Sequence, residues 1–212
     1  MGKIEKGIPG GFSGKVGTVV GGNWRGIDYL RSKGKRSKAE PTASQLEQQA
    51  KFALAVRFAQ SMSGLLDIGF SKYSVRQTGK NAALSYILKN AVGGVYPNNS
   101  ILYANVQISR GALTNVLAPA AAPAAGSKCS FSWTDNSGTG IAKPADKVML
   151  AAYCPGLNQS VYNTCSASRA DRADELNLAT FSGRLVETYI SIISADGRNI
   201  ASSIYTGQLT VS

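Results

Sequence analysis

Histidine is absent from this 212-residue sequence. With it go the side chain that most often trades protons near neutral pH and the commonest catalytic-metal ligand. Chemistry through Lys, Tyr, Cys or paired carboxylates stays open, but the balance moves away from catalysis. A non-enzymatic protein without cofactor or small-molecule substrate is expected. Cysteine is scarce: Cys129, Cys154 and Cys165 form an odd set with no CxxC spacing. They read as small buried hydrophobes in a reducing compartment, not as a disulfide framework or zinc site. No apolar run reaches the length of a membrane span, so no membrane partner is expected. The opening MGKIEKGIPGG lacks the apolar stretch of a secretory signal, which predicts a cytoplasmic chain at synthesis.

What is present is positive charge, unevenly placed. Residues 1–110 carry 16 Lys/Arg against 5 Asp/Glu, whereas residues 111–212 carry 7 of each. The whole net charge of +11 therefore lies in the first half. Such asymmetry suits an arm or face that meets a polyanion, although it also serves solubility.

Residues 1–40 hold ten glycines and nine Lys/Arg. Short apolar–polar pieces such as Lys15-Val16-Gly17-Thr18-Val19-Val20 predict short strands with tight turns, or an extended arm, and exclude helix. Alone, this segment would bury little, so another surface is expected to order it. A helix is predicted from about Pro41, capped by Thr42 with Gln45 or Ser44 with Glu47. Its apolar face comprises Leu46, Ala50, Ala53, Leu54, Phe58 and Met62, widened by Phe52 and Val56, and ends at Gly64. A second helix is predicted over 80–91, with Gly93-Gly94 as its stop.

From Ile101 the period changes to that of strands. Ile101–Ser109 alternates, Leu117–Gly126 (LAPAAAPAAG) reads as a loop or linker, and strands are predicted at 129–133, 148–153, 183–194 and 200–211. Turn clusters lie at Asp135-Asn136-Ser137-Gly138 and Ala195-Asp196-Gly197-Arg198. The expected fold class is α+β: a glycine-rich basic β or extended segment (1–40), two helices (41–100) and an antiparallel β-sandwich (101–212).

CSFSWTDNSG, in which Trp133 closes a strand, and ETYISIISADGRNIASS resemble the fibronectin type III or immunoglobulin-like pattern over roughly residues 105–212. The resemblance implies a core Trp and a Tyr-bearing late strand packed across two sheets. The whole chain is also similar to an uncharacterised family of about 200 residues from Bacteroidota and their phages. That similarity rests on GIPGGFSGKVGTVVGGNWRGIDYLRS, PTASQLEQQAKFALAVRF and ISADGRNIASSIYTGQLTV. It implies no catalytic residue.

Candidate motifs mostly dissolve on inspection. Gly10-Gly11-Phe12-Ser13-Gly14-Lys15 resembles a phosphate-binding loop, but Pro9 stands at its first glycine position and Val16 at its hydroxyl position. Ser32 and Lys35 have SxxK spacing, yet they lie in a basic run with nothing to depress the lysine pKa. Asp171, Asp174 and Glu175 interleave with Arg169 and Arg172, which predicts local ion pairing. The basic segment keeps its content. Lys15, Arg25, Arg31, Lys33, Lys35, Arg36 and Lys38 surround Trp24 and Tyr29, a composition suited to phosphates and stacked bases, or to contacts with another subunit. The leading expectation is a self-assembling structural subunit, a homo-oligomer of virion, shell or filament type. The alternative is sequence-nonspecific nucleic-acid binding.

Overall fold

A computed structural model describes residues 3–4, 11–24, 27–34, 40–73 and 77–212, with backbone only at 3, 4 and 24. The fold is α+β with a β-sandwich-like portion, and the chain divides into two units at Pro41/Thr42.

The first unit is an antiparallel meander of β1 (Lys3–Ile4), β2 (Phe12–Val16), β3 (Val19–Trp24) and β4 (Ile27–Ser32), in that order across the sheet. Glycine disfavours helix here, and the β-branched residues between supply strand preference. A two-residue turn, Gly17-Thr18, joins β2 to β3. Gly17 has a φ of 57°, at the position a type II′ hairpin turn reserves for glycine.

The second unit starts with α1 (Ala43–Ser61). Its capping box is the Thr42/Gln45 pair: the Gln45 amide donates to Thr42 Oγ1 (3.4 Å) and the Thr42 amide to Gln45 Oε1 (3.0 Å). The buried face is Ala55, Phe58, Ala59 and Met62, whereas Phe52, expected to widen the apolar face, is 52% exposed, and Ala53 is exposed too. The helix breaks at Met62 and restarts as α2 (Ser63–Gly69), so Gly64 begins a turn of helix instead of ending one. After α3 (Gly79–Asn90), Gly94 turns a small hairpin of β5 (Val92–Gly93) and β6 (Ser100–Ile101).

The strand predicted over Ile101–Ser109 does not form beyond β6. The chain winds through a 3-10 turn at Tyr103–Asn105, and its next amides find side-chain and helix-end acceptors: Ile108 donates to Ser203 Oγ and Arg110 to the Gly69 carbonyl at the end of α2. Conversely, the predicted linker is a strand, β7 (Leu117–Ala124). Its prolines are tolerated because β7 lies at a sheet edge, where a missing N–H costs no ladder bond. It is followed by β8 (Lys128–Thr134), β9 (Lys147–Cys154), β10 (Gln159–Asn163), β11 (Ala173–Asn177), β12 (Leu185–Ile193) and β13 (Ile204–Thr210).

These strands make two antiparallel sheets, ordered β11-β8-β7 and β10-β9-β12-β13. The four-stranded sheet is the middle layer of three. On one face Met149, Ala151, Tyr153 and Tyr189 pack under the helices with Phe58, Met62, Leu66 and Ile87. On the other, Val148, Leu150, Ala152, Ile190 and Ile192 meet Cys129, Phe131 and Trp133 of the three-stranded sheet. Cover on both faces explains why β9 reads VMLAAYC without alternation. Trp133 lies between the sheets as expected, its Nε1 donating to the Arg169 carbonyl at 2.8 Å. Tyr189 faces the helices instead, donating to the Tyr103 carbonyl at 3.0 Å.

Candidate functional site

Of the basic residues picked out in sequence, Lys15, Arg31 and Lys33 are described, and strand register decides which of them share a face. Lys15 lies opposite Val20, and Val20 opposite Arg31, so the three side chains form one cross-strand row. Tyr29 pairs with Gly22, whose missing side chain leaves room for the ring: a Cβ there would sit 3.0 Å from Tyr29 Cζ. Two residues along β4 from Arg31, Tyr29 points to the same face. Lys15, Tyr29 and Arg31 are all exposed. The Lys33 amide closes the β3–β4 end of the sheet onto the Thr18 carbonyl at 2.7 Å. Trp24 is opposite Ile27 in register. Arg25, Lys35, Arg36 and Lys38 lie outside the described residues.

The opposite face carries aliphatic residues beside the polar Asn23–Asp28 pair and Ser32. Val16 and Val19 are direct partners, 55% and 37% exposed, and Leu30, opposite Gly21, is 63% exposed. All six residues of β4 are exposed, Ile27 by 65%, and β4 ends the strand order, so its outer edge pairs with no strand among the described residues. Within the described part of this unit only Gly21 is buried. The sheet thus presents a cationic, tyrosine-bearing face, a partly aliphatic face and an edge that pairs with no strand among the described residues. This surface can form strand-to-strand hydrogen bonds, bury Val and Leu side chains, and neutralise anions. The aliphatic members, Val16, Val19, Ile27 and Leu30, were not singled out as contact residues from sequence. The signal available was the glycine richness of residues 1–40, which sets Gly21 instead of a larger side chain opposite Leu30.

Elsewhere most of the candidate reactive side chains are occupied structurally. Cys129 is buried and its thiol is pushed up to about 11, chiefly by desolvation. Cys154 is buried too, but Cys165 is exposed, contrary to the expectation of three buried thiols, because it lies in the turn after β10. The expected pairing among Asp171, Asp174, Glu175, Arg169 and Arg172 is not what forms. Arg169 turns inward to Asp146, Asp171 accepts the Ser168 amide, Asp174 takes the Ser166 hydroxyl and Glu175 binds Lys128. Those bonds from Ser168 hold the Asp171 carboxyl below its ordinary range. Ser32 ends β4, and its SxxK partner Lys35 lies outside the described residues. Among the described residues, no three His, Cys, Asp or Glu side chains are grouped to hold a metal ion. No helix of the described residues is long and apolar enough to cross a membrane.

The chain belongs to a family of unknown function (DUF6266), whose sequence profile matches residues 11–207. No curated protein and no solved structure matches it.

Proposed function

We propose that the protein is a non-enzymatic structural assembly subunit, of virion, shell or filament type, whose N-terminal sheet makes the contacts between copies. One observation carries this reading: β4 exposes every residue, including Ile27, Tyr29 and Leu30, at a sheet edge that pairs with no strand among the described residues. Natural proteins normally blunt such edges or cover them, because an unpaired strand with apolar side chains recruits another chain. A second copy adding a strand there would complete the hydrogen-bond ladder and cover the Val16–Val19–Leu30 face together. The three-layered second unit would be the rigid body. We take its three-on-four strand order as the fibronectin type III-like part of this proposal, and origin in Bacteroidota or their phages, with residence in a virion, as its biological setting. Light scattering and electron microscopy of the purified chain test it. Particles or defined oligomers are expected, and a strict monomer at high concentration refutes it.

A second reading is sequence-nonspecific nucleic-acid binding, favoured by the shared face of Lys15, Tyr29 and Arg31. Its affinity for a single-stranded oligonucleotide should fall steeply with salt. Replacing Lys15, Arg31 and Lys33 with Ala should reduce the log–log salt slope by about 0.7 per lost phosphate contact. An unchanged slope, or no binding at low salt, removes this reading. The two are compatible if the assembly packages nucleic acid.

A further inference from the structure

Two acidic side chains in the second unit are almost wholly buried, and they are balanced differently. Asp146 has Arg169 as its counter-ion. Glu187, on β12 and 2% exposed, forms no ion pair among the described residues. Its Oε2 accepts from Tyr205 Oη (2.6 Å) and its Oε1 from Gln208 Nε2 (2.8 Å). These neutral donors fix the carboxylate and leave lone pairs on both oxygens. A buried carboxyl group held only by neutral donors, in a cleft, is a candidate partner for a cationic ligand.

Glu187 lines such a cleft. A cavity of about 490 Å³ is bounded by Glu187 and Gln208, by Tyr103, and by the apolar surfaces of Pro155 and Leu185. The volume is that of a small-ligand site, apolar with a few placed polar groups. Burial, reinforced by Tyr153 and by the charge of Glu187, pushes the Tyr103 hydroxyl far above its ordinary value. The phenol therefore stays neutral, and an aromatic ring in the cleft wall can attract a cation. A hard metal ion would want six or more oxygens, and Glu187 is the single carboxylate lining the cleft. Arg184, also lining it, is exposed. Its charge opposes a cation, but solvent screens it more than it screens Glu187.

We propose that this cleft binds an alkylammonium group, with the charged end at Glu187 and Tyr103 and the methylenes along Leu185 and Pro155. The group could belong to a free aliphatic amine or to a lysine side chain. The lysine source, if it comes from a neighbouring copy, rests on the assembly reading above, whereas amine binding itself does not. Calorimetric titration of the full chain with n-pentylamine and with n-pentanol tests the charge requirement without any mutation. The amine should bind at least about tenfold more tightly. Glu187→Gln should abolish that preference, and Arg184→Gln, a surface change, should tighten amine binding a few-fold by removing the opposing charge. Equal binding of amine and alcohol, absence of amine binding, or weaker binding in Arg184→Gln overturns the proposal. Competition by Nα-acetyl-lysine-methylamide assigns the site to lysine side chains, and competition by cadaverine alone assigns it to free amines. Either supports the cleft's chemistry. Failure here leaves the particle-size test of assembly untouched.

Discussion

Replacing Arg169 with Met should be among the most damaging single changes to the second unit. The guanidinium is fully buried and spends all five N–H donors. Nε and Nη2 donate to Asp146 Oδ2 (3.3 and 3.1 Å), Nη1 to Asn136 Oδ1 (2.5 Å) and the Asn115 carbonyl (3.3 Å), and Nη2 to the Thr114 carbonyl (2.8 Å). Met fills similar volume but donates nothing. It would leave a buried carboxylate held only by the Lys143 amide at 2.8 Å, along with three acceptors lacking this donor. Orphaned acceptors cost about 1–3 kcal/mol each when counted singly, but shared relaxation makes the sum an overestimate. Breaking a buried pair from one side sets the scale at about 3–5 kcal/mol. With a urea dependence of about 2 kcal/mol/M, the unfolding midpoint should drop by roughly 1.5–2.5 M, read by circular dichroism. Adding Asp146→Leu should restore at least half of the loss, because the uncompensated charge goes with it. A loss below about 1 kcal/mol for Arg169→Met would refute the view that this ion pair is desolvated and committed.

Two further outcomes are expected. Ile27→Lys with Leu30→Lys should weaken self-association by about 30-fold or more, since each aliphatic side chain is some two-thirds exposed and stands to gain about 1–2 kcal/mol on burial; sedimentation velocity reads this, and undiminished association removes β4 from the interface. The Cys129 thiol, at about 11 when folded against an ordinary 9.0, keeps its proton longer in the native state. The folded chain binds more protons than the unfolded one between those values, so stability should fall as pH rises from 9 to 11, by roughly 2 kcal/mol. Cys129→Ala should flatten that part of the pH profile relative to wild type, and identical slopes would contradict the assigned burial.

Much of the second unit was legible because its signals are local. The Thr42/Gln45 cap, the periodicity of α3, the alternation of β8, and the apolar runs of β9 and β12 each lie within a few residues. β7 was not, because Pro119 and Pro123 argue against a strand until its edge position is known. QSVYN and ADELN, the outer strands β10 and β11, carry too few apolar residues to stand out, since much of each faces water. Arg169 was misassigned because acidic residues crowd it in sequence, while its real partner lies 23 positions earlier. In the first unit, residue types announced a basic aromatic surface, but only strand register could show that Lys15, Tyr29 and Arg31 share a face and Val16 and Val19 the other.

The doubly covered middle sheet has a consequence for how the second unit comes apart. Helices cannot peel away without stripping Tyr153 and Tyr189, and the outer three strands cannot leave without baring Leu150 and Ile190 on the same two strands. Loosening either side weakens the layer on which the other rests. Thr42–Ser212 should therefore melt in one calorimetric peak whose van't Hoff and measured enthalpies agree, with the amides of β9 and β12 the last to exchange with solvent.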